Sequence, residues 1–382
     1  KTCKLENLCH NNLIMNNKIE KLRNFLEEGC EDRDKVDGYL LLNLESSDRS
    51  NQRYLTGFDS SLGCLIVLKD RVFFLTDSRY IDAAKEELSG LKLEKIDSKP
   101  VETTAEMVNN LEIGSIAIDQ NDVSLALFNK LSDQLEEIEI VQLDGALGEI
   151  RREKEKEEIE LHEKAARIAD DAFSRLLDFV EVGMTENEIA LELEFFMRNN
   201  GAEDISFPPI VASGEKSALP HAKPGDDEVS RDELLLVDMG AKYEGYCSDL
   251  TRTIYFGDPP TKVREIYEIV LEAQRVGLDE LGPGVSCKEV HQKASTVIEE
   301  GGYGDNFGHG LGHGVGLDVH EGPRLSKTSD DTLKPGNVVT VEPGIYLPGW
   351  GGIRIEDMVR ITEDGYELFS HAPKNQIINP LQ

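Results

Sequence analysis

One motif in the second half of the chain occurs twice. Gly183-Met184-Thr185-x-x-Glu188-Ile189 returns as Gly284-Val285-Ser286-x-x-Glu289-Val290, a shift of 101 residues. A repeat of this kind constrains architecture before any single motif does, because each copy must build a similar unit. In both copies a hydroxyl residue with Glu three positions later predicts a capping box at a helix start. The helices run out at Asn199-Asn200-Gly201 and Glu300-Gly301-Gly302, and Asp204 then aligns with Asp305. Each copy holds a helix, this capped helix and later a pair of β-runs. The expectation is a C-terminal α+β domain of two similar halves about a pseudo-twofold axis.

Upstream, from about residue 38 to 144, β-rich runs alternate with helical patterns. YLLLNL, CLIVLK and VFFLTD precede IDAAKEEL, LKLEKI, a helix near 103–111, SIAID, a helix near 123–135 and IEIVQLD. Such alternation indicates an α/β layer domain. A chain of 382 residues suits two domains, placed here at 1–146 and 147–382. The charged stretch RREKEKEEIELHEK from Arg151 reads as a solvated helix joining them, with Glu and Lys spaced to pair along one face.

Charge narrows the function classes. With 41 Lys+Arg against 74 Asp+Glu, the net charge is -33, a field that repels phosphate backbones and excludes bulk nucleic-acid binding. No apolar run approaches the ~18 residues of a membrane span, and KTCKLENLCHNNL lacks the apolar stretch of a signal peptide. A cytoplasmic protein with no membrane partner is expected. The six cysteines (Cys3, Cys9, Cys30, Cys64, Cys247, Cys287) show no C-x-x-C grouping and read as reduced thiols. Four histidines, His10, His162, His291 and His371, fall outside every motif and read as surface or helix-face residues.

The acidic residues that matter sit on two hairpins. LLLVD (234–238) and YCSDLTRTIYF (246–256) flank Gly240 and Gly245, and a turn centred between Tyr243 and Glu244 sets Asp238 opposite Asp249. VVTVE (338–342) and IRIEDMVRI (353–361) surround PGWGG, and a turn centred on Gly349 sets Glu342 opposite Glu356. Cross-strand carboxylates are destabilising unless something neutralises them, and a bound cation does so. Repeated in both halves, the two pairs converge at the pseudo-twofold axis. Between them lies FGHGLGHGVGLDVHEGPR, which holds His309, His313 and His320, three of the chain's eight histidines. Four carboxylates with one or two imidazoles make an oxygen-rich site, wide enough for two divalent ions and suited to amide hydrolysis. Spacing alone leaves open which histidine is the ligand and whether the substrate is a peptide.

At this point the chain resembles the M24 metallopeptidases of the pita-bread fold, and within them the proline-specific branch of Xaa-Pro dipeptidase (prolidase) and aminopeptidase P. The strings that carry the likeness are SFPPIVASGEKSALPHAKP, LLLVDMGAKYEGYCSDLTRTI, GHGLGHGVGLDVHEGPR, VVTVEPGIY and GGIRIED, while RYLTGF and LTDSRY are similar to the creatinase-type N-terminal domain. The resemblance implies metal ligands at Asp238, Asp249, His313, Glu342 and Glu356, and so selects His313. It implies that His320 steadies the developing oxyanion. It further implies that His221 and His309 bind substrate or move protons and that Glu342 doubles as proton acceptor. Arg324, four residues after His320, would clamp the free carboxylate of a C-terminal proline.

The expected function is therefore hydrolysis of the Xaa-Pro bond of proline-containing peptides through a dinuclear metal-bound hydroxide. Two divalent ions are implied, Mn2+ first with Co2+ or Zn2+ also suited, in a homodimer. The dipeptidase is favoured over aminopeptidase P. A metal-free creatinase-like C-N hydrolase and a non-catalytic binding protein are the competing classes, and both lack the full ligand set that this chain retains.

Overall fold

The structure, a computed structural model, describes residues 2–28, 36–45, 49–135, 137–374 and 378–379, with side chains from residue 13 onward. His10, Cys3, Cys9 and Cys30 lie outside the described side chains. The chain divides into two compact units, Lys1–Arg151 and Arg152–Gln382.

The first unit is built on a six-stranded mixed sheet. Its order is Lys92–Lys95, Val72–Thr76, Gly63–Leu68, Gly38–Asn43, Ser115–Asp119, Glu139–Leu143. Gly38–Asn43, Gly63–Leu68 and Val72–Thr76 pair antiparallel, and the outer strands on either side join in parallel. Those three strands are buried at every position, which is why they read as unbroken apolar runs rather than alternating ones. Helix Pro100–Asn109 lays Val101, Ala105 and Val108 onto Leu40, Ile66, Leu75 and Ile116 of the sheet. The expected helices near 103–111 and 123–135 are Pro100–Asn109 and Leu125–Ser132. Helices Thr2–Glu28 and Ser50–Thr56 were not anticipated.

In the second unit the repeat is visible in backbone bonding. Helices Glu186–Asn199 and Cys287–Glu300 begin alike: Gly183 N–H donates to Val229 O and Gly284 N–H to Leu333 O, while Glu186 N–H donates to Asp227 O and Cys287 N–H to Asp331 O. Helices Lys156–Phe179 and Glu186–Asn199 cover the strands of the first half, burying Phe173, Leu176, Leu193 and Met197 against Val237 and Leu250. Thr261–Asp279 and Cys287–Glu300 do the same in the second half, where Val270 packs with Ile345 and Ile353, and Val290 with Val339 and Val359. The capping box forms in only one copy. Thr185 Oγ1 accepts from Glu188 N–H at 3.2 Å and the Glu188 carboxylate accepts from Thr185 N–H at 2.8 Å, whereas Ser286 makes no such side-chain bond.

Three sequence expectations need correction. The stretch from Arg151 is not one solvated helix: it breaks between helices Ala146–Arg152 and Lys156–Phe179, and Arg151, Lys154, Glu158 and His162 are all buried. His291 is buried as well, its Nδ1 accepting from Leu311 N–H at 3.2 Å, while His371 is exposed. The first hairpin also has a different register. Its turn is Glu244-Gly245, both at positive φ (44° and 90°), the two-residue geometry that matches strand twist. Strands Leu234–Met239 and Leu250–Tyr255 accordingly set Asp238 opposite Thr251 rather than Asp249. Moving a turn centre by one residue slides the pairing by two, which keeps side chains on their face. Asp238 and Asp249 therefore become diagonal neighbours, at about 7 to 8 Å in an ideal ladder. In the second hairpin Gly344–Leu347 pairs with Gly351–Arg354 about Gly349, and Val341 stands opposite Asp357, the register that brings Glu342 and Glu356 together.

Candidate metal centre

Four carboxylates and one imidazole converge where the two halves of the second unit meet. Asp238 is the penultimate residue of Leu234–Met239, Asp249 immediately precedes Leu250–Tyr255, and His313 is the middle residue of Gly312–Gly314. Glu342 follows Val338–Val341, and Glu356 lies between Gly351–Arg354 and Asp357–Ile361. Candidate ligand atoms of Asp249, His313 and Glu356 all lie within 4.8 Å of one another. His313 Nε2 stands 3.4 Å from Glu342 Oε1 and 3.7 Å from Asp249 Oδ2. Its Nδ1 lies 3.1 Å from Gly314 O, a bond that places the proton on Nδ1 and turns the Nε2 lone pair toward the carboxylates.

The carboxylates repel one another. Burial first, then the charges of Glu356, Asp238 and Glu342, hold the Asp249 carboxyl well above the usual range, with Arg354 opposing. Burial, then Glu342 and Asp238, does the same to Glu356. Glu342 is pushed up to about 8, chiefly by burial. His313 is pulled down to about 4 by burial and then by His320, so it is neutral, the form in which an imidazole can bind a metal. Asp238 Oδ1 is buried without a hydrogen-bond partner among the described residues. A hard, oxygen-rich donor set, repelling itself and holding an unused buried oxygen, fits divalent cations.

The sequence reading missed the residues that hold this set in place. Arg354 donates to Asp238 Oδ2 at 2.6 Å, to Thr251 Oγ1 at 3.0 Å and to the Tyr346 hydroxyl oxygen at 2.8 Å. Thr251 in turn donates to Glu356 Oε2 at 2.7 Å, and Thr340 to Glu342 Oε1 at 3.3 Å. Strand parity is the signal that points to them: Arg354 and Thr340 each lie two positions before one of the clustered carboxylates, Glu356 and Glu342, on the same strand face.

Around the centre opens a cavity of about 1330 Å³. Phe207, Pro208 and Pro209 form part of its wall, and His221, His309, His320 and Arg324 all line it. The His320 ring lies 4.4 Å from the His313 ring, centroid to centroid. His309 is engaged at both nitrogens, Nδ1 to Gly310 O at 2.7 Å and Nε2 to the Tyr346 hydroxyl at 3.0 Å. Because Arg354 donates to that hydroxyl oxygen, the Tyr346 proton points at His309 Nε2. Among the described residues no carboxylate pairs with the Arg324 guanidinium, although its backbone N–H reaches Asp331 Oδ2 at 3.4 Å. Trp350 does not line the cavity and lies under the Lys262 ammonium at 4.4 Å.

Known proteins resemble this chain in sequence and fold. The profile of metallopeptidase family M24 matches residues 160–363, and that of the creatinase/prolidase N-terminal domain matches residues 18–152. A Pyrococcus furiosus Xaa-Pro dipeptidase is 39% identical over 92% of this chain and 97% of its own length. The solved structure of an Xaa-Pro dipeptidase from Bacillus anthracis matches with a TM-score of 0.89 at 38% identity, covering 95% of this chain and 99% of that one. The X-Pro aminopeptidase from Thermotoga maritima matches with a TM-score of 0.85 at 40% identity, covering 90% and 97%.

Proposed function

The chain belongs to metallopeptidase family M24, and from that premise we propose that it cleaves the bond between any residue and a following proline, with Xaa-Pro dipeptides as its main substrates. The observation that carries the dipeptide reading is Arg324. A guanidinium beside His320, lining the cavity and with no acid pairing it among the described residues, suits the free carboxylate of a C-terminal proline.

The residues divide the work as follows. Asp238, Asp249, His313, Glu342 and Glu356 would hold two divalent ions. Such ions polarise the scissile carbonyl and make water nucleophilic at neutral pH. Glu342 accepts a proton from the attacking water. His320 donates to the oxyanion as it develops; burial, then Arg324 and His221, lowers its pKa, so it acts as a neutral donor. His221, which also lines the cavity, would contact the substrate, and His309 acts through Tyr346, whose hydroxyl it orients. Pro208 and Pro209 give the cavity an apolar stretch of wall.

A second reading has its own support. The cavity of about 1330 Å³ exceeds what a dipeptide fills, and an X-Pro aminopeptidase is among the structural relatives, so longer Xaa-Pro peptides are the competing substrates. The reading extends to Mn2+ as the working ion, a homodimer and a cytoplasmic location. The deciding experiment measures kcat/KM on Ala-Pro and on Ala-Pro-Xaa peptides with and without Mn2+. A preference for the longer peptide assigns the aminopeptidase, and turnover of neither ends the proline reading.

A further inference from the structure

Behind the turn that carries His320 lies a set of buried ionisable groups that the chemistry above does not use. Lys154 sits in the break between helices Ala146–Arg152 and Lys156–Phe179, its side chain 1% exposed, with Nζ 3.3 Å from Glu321 Oε2. The Glu321 side chain is itself 7% exposed. Its other oxygen accepts from Asp318 N–H at 3.1 Å, and Gly316 N–H donates to Asp318 O at 2.9 Å. The carboxylate lies flat against Gly316, where a Cβ would stand 2.3 Å from both oxygens. His162 closes the compartment from below, its Nδ1 bonded to Cys247 O at 3.0 Å and its ring edge-on to Tyr246.

Burying an ammonium and a carboxylate together adds little net stability, because desolvation offsets most of the attraction. What such a pair supplies is geometry. Lys154 is fixed by its own backbone, whose N–H donates to Gly336 O at 2.9 Å, so Glu321 is tied to a point outside its turn. The residue before Glu321 is His320. One peptide unit separates the clamped side chain from the imidazole that lines the cavity beside His313.

We propose that Lys154 and Glu321 are positioning residues for His320, the buried pair locking the turn 316–321 so that the imidazole is held at the oxyanion. The assignment rests on the peptidase reading above. The charges that shift His320 itself are those of Arg324, His221 and Asp238, which leaves the pair to act through the backbone.

The test uses the full chain loaded with Mn2+, as wild type, Lys154→Met, Glu321→Gln, His320→Ala and the double variants with His320→Ala. Loosening a catalytic donor by an ångström costs on the order of 10 to 100-fold, so Lys154→Met should lower kcat by that factor with metal stoichiometry and KM unchanged. In the His320→Ala background the same substitution should cost nothing further, since its target is gone. Multiplying losses, or a Lys154→Met enzyme with wild-type kcat, overturn the proposal. Glu321→Gln keeps an acceptor for Asp318 N–H and carries the test where Lys154→Met does not fold. A second readout is independent of substrate: in histidine-labelled metal-free protein, the His320 ring resonance should shift or broaden in Lys154→Met. An unchanged resonance overturns the positioning role whatever the enzyme cleaves, whereas a wild type inert on Xaa-Pro peptides overturns only the substrate reading.

Discussion

His162 offers the sharpest stability test, because its environment permits one protonation state. Its Nδ1 carries the proton bonded to Cys247 O, and Nε2 is buried with no partner among the described residues, so a second proton would have no acceptor. Burial, then the Lys154 charge, pulls its pKa from 6.5 to about 3, with the Cys247 carbonyl and Glu321 opposing. A depressed pKa means that the unfolded chain binds this proton first. The stability contribution is therefore complete above pH 6.5 and is lost as pH falls toward about 3. With one proton worth about 1.4 kcal/mol per pH unit, the loss from pH 7 to 5 is about 2 kcal/mol from this group alone. His162→Phe keeps a ring against Tyr246 and Phe369 but leaves Cys247 O unpaired. That lowers stability by roughly 1 to 3 kcal/mol at pH 7. Urea unfolding of chelator-treated wild type and variant at pH 7, 6 and 5 isolates the term, since the remaining titrations cancel in the difference. The gap between the two proteins should narrow by about 2 kcal/mol on acidification. A gap that stays constant refutes the argument that burial keeps this imidazole neutral.

Further outcomes follow from the site. Arg324→Ala should depress kcat/KM for Xaa-Pro dipeptides by about 10 to 100-fold, the value of a charged hydrogen bond, while sparing Xaa-Pro-Xaa peptides; equal losses on both would reassign Arg324 to a structural role. His320→Ala should lower kcat by about 100 to 1000-fold, and an unchanged kcat with raised KM would make it a uniform binding group. Metal analysis should find two divalent ions per chain, with activity lost on chelation and Tm rising when Mn2+ is restored, because ions bind only the folded site. Asp249→Ala or Glu342→Ala should abolish turnover, and stopped assays with restored Mn2+ check whether excess metal rescues either.

How much of this was legible depended on whether the partner of a residue lay nearby in sequence. The second hairpin could be registered because its turn chemistry and its carboxylates occupy one short segment about Gly349. The first was displaced by two, since nothing in KYEGY distinguishes a turn at Tyr243-Glu244 from one at Glu244-Gly245 except that the latter pair takes positive φ. That error left Asp238 and Asp249 on the same face, so the two carboxylates still meet at one site. Arg354 went unnoticed although strand parity places it beside Glu356, because attention to carboxylate pairs leaves the intervening cation out.

The charged segment from Arg151 is a different case. Its residues offered each other salt-bridge partners at helical spacing, and a solvated helix satisfied every local rule. In the fold, Lys154 instead meets Glu321, 167 residues away, and Glu158 meets the Tyr246 hydroxyl at 2.6 Å, 88 residues away. A run of mixed charge therefore indicates solvent only when its charges are answered within the run. Here Lys154, in the break just before the helix, and Glu158 and His162, one turn apart within it, are all buried, and each finds its counterpart on the strands and turns of the second unit. Burying three ionisable side chains in one short segment is costly unless each is matched in place, which ties the start of this helix to the geometry of the turn at His320.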